Sequence, residues 1–398
     1  MYFDNAATTR LDPEVLKDML PYLEEECGNP SSGHAMGRRA KRALEFARKT
    51  IGLAIGARPG EVVFTAGGTE SDNLALLGCA QALGSAERNE IVISAIEHPA
   101  VLNIAPLLER NGFVVRYAPV TGGGILDLEA FGQMVGPRTL LVSVMLVNNE
   151  LGTIQPIPEV ARLAHRHDAF VHTDAVQAFG KIPVDVDDLG VDMLSLSSHK
   201  IHGPQGVGGL YIRRGTPLQP RALGGGQESG RRSGTENLAG IVGFASAARL
   251  AADDMENRSR RILRLRQLFE SRITALAADA WINGNRDQRV SNITNATLPN
   301  ASGDFLLRAL SEAGVFVSSG SACASVSLKP SHVLTAIGLD ARLAQATLRF
   351  SFSDFNTRSE VERTLEILAG LLAKAESMPG TMVSQNKNDC LEHNHADA

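Results

Sequence analysis

The sequence predicts an α/β protein with a mainly parallel β-sheet and a second, smaller α+β domain. Short β-rich runs alternate with helix-length segments from about residue 60 to 215. These runs show no clean polar alternation, which is typical of strands buried on both faces of a parallel sheet. Beyond residue 283, further strand-like runs and one helical pattern suit a small α+β domain.

Seven runs are predicted to form the sheet of the large domain. In chain order they are EVVF, EIVIS, FVVRYA, TLLVSVMLV, AFVHTDA, VDMLSLS and GGLYIR. Ligands of such sheets bind beyond the carboxyl ends of the strands. The polar residues that directly follow each run are therefore the candidates for chemistry.

A long helix is predicted to lead from the large domain into the small one. From Phe244 to Asn283 there is neither Gly nor Pro, and apolar residues recur at roughly helical spacing. In the small domain the predicted strands lie in RVSNITNATL, GVFVSS and TLRFSFS, and a helix is predicted near Ser359 to Ala375.

These patterns predict how the chain divides into domains. We expect residues 15–255 to form the large domain and residues 256–378 the small one, with residues 1–14 packing against the small domain. Residues 379–398 are polar, so we expect a disordered tail.

Composition excludes several classes of protein. The chain has 398 residues, 43% hydrophobic and 21% charged, which is enough for one large core and a smaller one. A formal net charge of -5 without a Lys/Arg cluster argues against nucleic-acid binding. The longest apolar run, 140–147, is too short to cross a bilayer, and no signal peptide is apparent at the start. We expect a cytoplasmic protein without a membrane partner.

The cysteines do not form a metal or disulfide pattern. Cys27, Cys79, Cys323 and Cys390 are widely separated and contain no C-x-x-C pair, so an important cysteine should act as a single thiol. The tail also contains His393 and His395, but a few potential ligands in a polar segment are usually incidental, and we expect no metal site.

One candidate anion site follows the first strand. Gly67, Gly68 and Thr69 lead into a predicted helix, where bare backbone N–H groups and the threonine hydroxyl can hold an anion. The P-loop pattern G-x-x-x-x-G-K-[ST] is absent, so a nucleoside triphosphate held in that manner is not expected. An ordinary capped helix would explain the same residues.

An acid and an amine follow two later strands. Asp174 ends the run AFVHT and Lys200 follows MLSLS, so both can approach one small planar molecule. Pyridoxal phosphate requires a lysine for covalent attachment, a carboxylate for the ring nitrogen and a cradle for the phosphate. Seen alone, the two residues fit a surface lysine and a capping aspartate equally well.

Further polar residues extend this interpretation. His98 follows another strand, where its ring can stack on the pyridine ring and move protons, although a lone histidine can be structural. Gln177 can bond the phenolic oxygen, and Ser197 and His199 can donate to the phosphate. The glycines of HGPQGVGG leave clearance for the cofactor.

Taken together, these motifs closely resemble cysteine desulfurases of the NifS and IscS type, within the class-V branch of fold-type I pyridoxal phosphate enzymes. The resemblance covers nearly everything before the tail. In chain order it is carried by DNAATT, CGNPSSGH, AGGTESDN, EHPAV, VNNELGT, HTDAVQ, SSHKIHGPQGVG, GGGQESGRRSGTEN, SSGSACAS and LRFSFS.

The resemblance implies a role for each matching residue. Lys200 would carry the cofactor, Asp174 would pair with the ring nitrogen, and Arg349 would bind the substrate carboxylate. Asn149 would lie along the ring and near the substrate. Thr235 would reach the phosphate from the neighbouring subunit of a homodimer. The remaining cofactor contacts are implied for Gly68, Thr69, His98, Gln177, Ser197 and His199.

Cys323 completes the implied chemistry. It lies among Ser, Gly and Ala in SSGSACAS, a poor environment for a structural cysteine. Removing sulfur from L-cysteine requires a nucleophile for the sulfur atom, and the thiolate is the reactive form. The resemblance implies that Cys323 takes the sulfur as a persulfide, releases L-alanine, and passes the sulfur to an acceptor such as an iron–sulfur scaffold.

Two alternatives share part of this pattern. A selenocysteine lyase or another class-V aminotransferase-like enzyme would also need Lys200 and Asp174, and a non-catalytic sulfur carrier could keep the fold. The residues do not decide between iron–sulfur assembly, nitrogenase maturation, and tRNA or DNA thiolation as the destination of the sulfur.

Overall fold

The computed structural model describes residues 1–277, 279–319 and 330–377. In these ranges, seven strands form one sheet in the order β1-β7-β6-β5-β4-β2-β3. The strands are β1 Val62–Thr65, β2 Glu90–Ser94, β3 Val114–Ala118, β4 Thr139–Ser143, β5 Phe170–Asp174, β6 Met193–Ser197 and β7 Gly208–Ile212.

The sheet is mainly parallel, as predicted, and all seven runs form strands. β7 runs antiparallel to both of its neighbours, whereas the other neighbouring strands are parallel. The run TLLVSVMLV forms a strand only as far as Ser143. Beyond it, the Val144 and Leu146 N–H groups still donate to carbonyls of β5, at His172 and Asp174.

Helices cover both faces of this sheet. Because successive strand residues point to opposite faces, Val92 packs with one hydrophobic cluster while Ile91 and Ile93 pack with another. The helices are α1 Pro13–Glu24, α2 Ala35–Ala54, α3 Gly68–Leu83, α4 Pro99–Leu102, α5 Ala105–Arg110, α6 Leu128–Met134, α7 Ile157–His165, α8 Val186–Leu189 and α9 Leu238–Asp253.

A four-stranded sheet lies in the C-terminal part of the described chain, with the order β10-β11-β9-β8 and antiparallel pairs. Its core includes Phe350 and Phe352, together with Phe3 from the start of the chain. The elements of this part are α10 Met255–Leu276, β8 Trp281–Ile282, β9 Ile293–Thr297, α11 Gly303–Glu312, β10 Ser318–Ser319, α12 His332–Ala336, α13 Ala341–Gln345, β11 Thr347–Ser351 and α14 Arg358–Ser377.

The predicted long helix is two helices that meet at Asp254. Its backbone leaves the helical region, with φ -131° and ψ 22°. The Asp254 carboxylate accepts hydrogen bonds from Asn257 and Arg261, and such local side-chain contacts compete with helical continuation. The short strand β8 was not predicted, because two residues are too few to show periodicity.

The division at residues 255 and 256 stays a prediction, as does the packing of residues 1–14 as a unit with the small domain. Cys323, Cys390, His393 and His395 lie outside the described residues, as do residues 379–398. Within the described ranges, no helix combines the length and the apolar character needed to cross a membrane.

Candidate active site

Backbone carbonyls hold the amine of Lys200 at the end of β6. The strand ends at Ser197, and the short 3₁₀ turn Ser198–Lys200 follows. Lys200 Nζ donates to the carbonyl oxygen of Ala6 at 2.7 Å and to that of Ala7 at 2.6 Å. The N-terminal DNAATT segment therefore reaches the strand end that the sequence singled out.

A cavity of about 680 Å³ opens beside this turn, within the size range of small-molecule sites. A Cβ at Gly68 would lie 2.8 Å from Val176 Cγ2, so a larger residue where α3 begins would require the Val176 side chain to shift. Ser197 is buried, and its Oγ has no hydrogen-bond partner within the described residues. The cavity is lined by Thr8, Ala66, Gly67, Gly68, Thr69, Glu70, Asn73, Ser197, His199, Gln205 and Gly206.

The ring of His199 is held by the N-terminal segment, since its Nδ1 lies 3.0 Å from Thr8 Oγ1. Burial, reinforced by the positive charges of Lys200 and Lys181, lowers the pKa of His199 to about 4. The imidazole is therefore neutral near pH 7 and can donate one hydrogen bond to a ligand in the cavity.

Asp174 and Gln177 lie at the end of the neighbouring strand β5. The Val176 N–H donates to Asp174 Oδ1 at 2.8 Å. Burial raises the pKa of Asp174 to about 6, although the Val176 N–H and the charge of Lys200 act in the opposite direction. Gln177 is buried, and its Nε2 donates to the carbonyl of Ala6 at 2.8 Å, the same oxygen that Lys200 uses.

A buried polar layer lies beneath these strand ends. The His172 ring contacts Ser143 Oγ at 2.8 Å through Nδ1 and Ser195 Oγ at 2.9 Å through Nε2. Burial lowers the pKa of His172 to about 3, so this ring is neutral. Burial and the charge of Asp174 raise the pKa of nearby Asp72 well above its usual range. Both effects favour neutral groups in this layer.

His98 caps the N-terminus of helix α4 and accepts a hydrogen bond at Nδ1 from the Ala100 N–H, at 3.1 Å. The ring proton of the neutral imidazole is therefore on Nε2. Burial lowers the pKa of His98 to about 4, and the charges of Lys200, His332 and Arg349 act in the same direction.

Arg349 is a fully buried residue of β11 whose two Nη atoms donate hydrogen bonds to other parts of the chain. Its Nη2 donates to Asp4 Oδ1 at 2.8 Å and to Ser318 Oγ at 3.1 Å, and its Nη1 donates to the Asn149 carbonyl at 2.9 Å. Among the described residues, no acceptor contacts its Nε. The guanidinium thus keeps donor capacity for a carboxylate.

A second buried acid lies next to Asn149. Glu150 Oε2 accepts from Ser331 Oγ at 2.6 Å. Burial raises the pKa of Glu150 to about 7, while the Ser331 hydrogen bond and the charge of Arg349 act in the opposite direction. Neither Glu150 nor Asp4 was singled out from the sequence, since an isolated carboxylate shows no periodicity.

Most of the predicted site residues are near one another, with two exceptions. Thr235 is exposed and is not among the described residues that line the cavity of its own chain. Cys323 lies outside the described residues. For Asn149, the contact found is between its backbone carbonyl and Arg349.

Lys181, which contacts Gln177, was not singled out from the sequence. A lysine next to a glycine is common on protein surfaces and gives no signal of a functional site.

The residues present fit pyridoxal phosphate. The Ser197 hydroxyl, for which the described part of the chain supplies no partner, and the backbone at the helix start beside Gly68 suit a phosphate group, since both can offer hydrogen-bond donors. Lys200 directly follows His199, which lines the same cavity, and Asp174 is a buried acid that a cationic ring nitrogen would stabilise as the carboxylate.

Comparisons with known proteins show which family the chain is similar to. The family model described as Aminotransferase class-V matches residues 1–364. A relative from Dictyoglomus turgidum, named cysteine desulfurase IscS, is 44% identical over 378 residues, which cover 95% of this chain and 96% of the relative.

Two solved structures are similar over most of the chain. A NifS-like protein superposes with a TM-score of 0.89 at 40% identity, covering 94% of this chain and 99% of that one. A protein described as SspA in complex with cysteine superposes with a TM-score of 0.79 at 39% identity, covering 89% and 99%.

Proposed function

Because the chain belongs to the class-V aminotransferase family and is a pyridoxal-phosphate-dependent cysteine desulfurase of the NifS and IscS type, we propose that Lys200, Asp174 and Arg349 form its catalytic site. The enzyme converts L-cysteine to L-alanine. The observation that supports this assignment of residues is the hydrogen bonding of Lys200 beside a cavity with an unpartnered buried Ser197 hydroxyl.

The cofactor would be held from several sides. Asp174 would pair with the ring nitrogen, Gln177 would bond the phenolic oxygen, and His98 and Asn149 would lie along the ring. The phosphate would be bound by Gly68, Thr69, Ser197, His199 and, from a second subunit of a homodimer, Thr235. When bound, pyridoxal phosphate supplies an electron-accepting ring that eases removal of the substrate Cα proton.

The protein groups would bind the substrate and move its protons. The Arg349 guanidinium binds the L-cysteine carboxylate through donors that Asp4 does not occupy. Lys200 Nζ takes the Cα proton, and the carbonyls of Ala6 and Ala7 accept hydrogen bonds from the resulting ammonium. His98, protonated on Nε2, assists proton transfer near the reacting atoms.

Cys323 would then remove the sulfur. Its thiolate attacks the substrate sulfur and forms an S–S bond while the Cβ–S bond breaks. The electron pair of the broken bond passes to the carbon skeleton, which takes up protons and leaves as L-alanine. The sulfur remains on Cys323 as a persulfide.

The persulfide would pass to an acceptor protein, for which an iron–sulfur scaffold is our first candidate because several relatives bear the name IscS. We also propose that the enzyme is cytoplasmic and forms a homodimer; the exposed Thr235 does not line the cavity of its own chain, which supports a contact with the cavity of a second subunit. Acceptors can be identified by incubating the enzyme with labelled cysteine and locating the label by mass spectrometry.

A borohydride experiment tests the site. Reduction of the enzyme with bound pyridoxal phosphate should fix the cofactor on the peptide that contains Lys200. The Cys323→Ser variant should keep this fixation and the yellow absorbance but form no persulfide and release no alanine. Fixation at another residue would contradict the role of Lys200, and full turnover by the Cys323→Ser variant would contradict the role of Cys323.

A further inference from the structure

A second amine lies close to the proposed cofactor site. Lys181 is partly buried, and its Nζ donates to Gln177 Oε1 at 2.9 Å. The two residues lie outside any regular helix. The charges of Lys200, Arg349 and Asp174 act on Lys181, and Arg258 and Asp354 line the same small cavity as Lys181.

The backbone before Lys181 is fixed in a way that directs it toward Gln177. Gly180 has a φ of 70°, which side-chain-bearing residues rarely adopt, and an added Cβ would lie 2.8 Å from Ile201 Cγ2. The Lys181 N–H donates to the Ala178 carbonyl at 3.0 Å, which closes the turn. The turn at Gly180 therefore fixes the backbone from which the Lys181 side chain reaches Gln177.

The two contacts of Gln177 determine which way its amide faces. An ammonium can only donate, so the atom that faces Lys181 must be the amide oxygen. A carbonyl can only accept, so the atom that faces Ala6 must be the amide nitrogen. Neither of these two contacts uses the second N–H of Gln177, which can donate to a ligand.

Lys181 also shares its surroundings with the catalytic amine. Lys181 and Lys200 both line a small cavity of about 40 Å³. The Ala6 carbonyl accepts from both Gln177 and Lys200. Burial and the charges of Lys200 and Arg349 lower the pKa of Lys181 to about 7, so its charge changes near neutral pH.

We propose that Lys181 is a positioning residue for the cofactor: it holds the Gln177 amide so that the second N–H of that amide faces the phenolic oxygen. This inference rests on the proposed function, because it takes Gln177 as the partner of the phenolic oxygen. Lys181 acts through Gln177 and contacts no reacting atom.

The test measures the absorbance of the cofactor bound to Lys200 as a function of pH, which does not depend on turnover. An N–H donor held at the phenolic oxygen favours the form with fewer protons. In the Lys181→Met holoenzyme, the pH at the midpoint of this absorbance change should therefore rise by about one unit. The exposed Lys41→Met variant serves as the control and should leave the midpoint unchanged.

A double variant separates positioning from a general effect of charge. In a Gln177→Leu background, Lys181→Met should move the midpoint by less than about 0.3 pH unit, because the contact through which Lys181 acts is already lost. A full shift in that background, or an unmoved midpoint in the single variant, overturns the proposal. Should the methionine variant lose the cofactor, Lys181→Gln replaces it: an upward shift is expected, and an unchanged midpoint overturns the proposal.

The outcomes distinguish this inference from the proposed function. If borohydride fails to fix the cofactor at Lys200 in the unchanged protein, the proposed function fails, and the role of Lys181 falls with it. If fixation succeeds while the Lys181→Met midpoint matches that of the unchanged protein, only the role of Lys181 is overturned.

Discussion

Arg349 and Asp4 form a largely buried ion pair, with 2.8 Å between Nη2 and Oδ1, and Ser318 Oγ contacts both partners. The residue proposed to bind the substrate carboxylate is thus already oriented by a carboxylate of the protein. Such an arrangement lowers the entropy that must be lost when the substrate binds.

Replacing Arg349 by Lys should weaken cysteine binding and leave cofactor binding intact. A lysine ammonium cannot make two parallel hydrogen bonds to a carboxylate, so KM for L-cysteine should rise by about 10²-fold. Steady-state kinetics measure the change, and the absorbance of the bound cofactor provides the control. An unchanged KM would show that another group binds the carboxylate.

The Asp4→Asn variant should raise KM by about tenfold, because the guanidinium loses its charged partner but keeps Ser318 and the Asn149 carbonyl. The kcat should change by less than about threefold. If Asp4 acts by orienting Arg349, the two substitutions combined should cost little more than Arg349→Lys alone. Fully multiplicative effects would contradict that coupling.

Gly68→Ala should weaken cofactor binding. The new Cβ would lie 2.8 Å from Val176 Cγ2 and would displace the start of α3, which lines the cavity. We expect the dissociation constant of pyridoxal phosphate to rise about tenfold, as measured by equilibrium dialysis. Val176→Ala should restore much of the affinity. Gly33→Ala, where a Cβ meets nothing within 4 Å, is the control.

The ion pair between Arg48 and Glu228 should contribute strongly to stability. The two side chains are nearly buried, the contact is bidentate at 2.7 and 2.8 Å, and the Phe64 N–H also donates to Glu228. Glu228→Gln would remove the buried bidentate partner of the Arg48 guanidinium and leave it the half-exposed Glu45, 3.5 Å away. The free energy of unfolding should fall by about 3 kcal/mol, as measured with denaturant.

The exposed pair of Arg213 and Asp187 provides a matched control for that prediction. Its N–O distance is 2.8 Å, but the Asp187 side chain is 74% exposed. Asp187→Asn should therefore cost less than about 1 kcal/mol. Equal losses for the buried and exposed pairs would show that burial does not determine the difference.

Glu150 should make stability depend on pH. Its pKa in the folded protein, about 7, lies above its ordinary value of 4.5, so the folded state holds the proton more tightly. The associated stability is fully present below about pH 4.5 and is lost as the pH rises through about 7. Relative to Glu150→Gln, the protein should lose about 3 kcal/mol over this window.

Denaturant titrations near pH 5 and pH 8 measure this difference. Glu256→Gln, at a side chain that is 83% exposed, should show no comparable change. If the Glu150→Gln variant and the unchanged protein lose stability in parallel between the two conditions, Glu150 does not titrate in this window.

Sequence patterns predicted the parts of the fold that depend on burial and turn chemistry. The seven strands were predicted because each is a short β-rich run bounded by turn residues, and Gly68 was identified because a helix is predicted to begin there. The break between the two helices at Asp254 was not predicted, since one aspartate in a segment without Gly or Pro is not a strong signal for the end of a helix.

Candidate site residues could be singled out from the sequence where a reactive residue type directly follows a predicted strand, as for Asp174 and Lys200. The contacts that support these residues could not be predicted. Asp4 lies 345 positions from Arg349, and Lys181 contacts Gln177 through a turn that depends on a glycine with positive φ. Contacts between distant or irregular segments leave no period in a single sequence.

The carbonyl oxygens that hold Lys200 belong to Ala6 and Ala7. Conventional alanine scanning would pass over both positions, because they already carry the residue that such a scan introduces. Larger side chains there would change packing while keeping the oxygens, so ordinary mutagenesis would leave these two acceptors unexamined. Replacing single amides by esters through chemical synthesis would perturb the acceptor strength of these carbonyls directly.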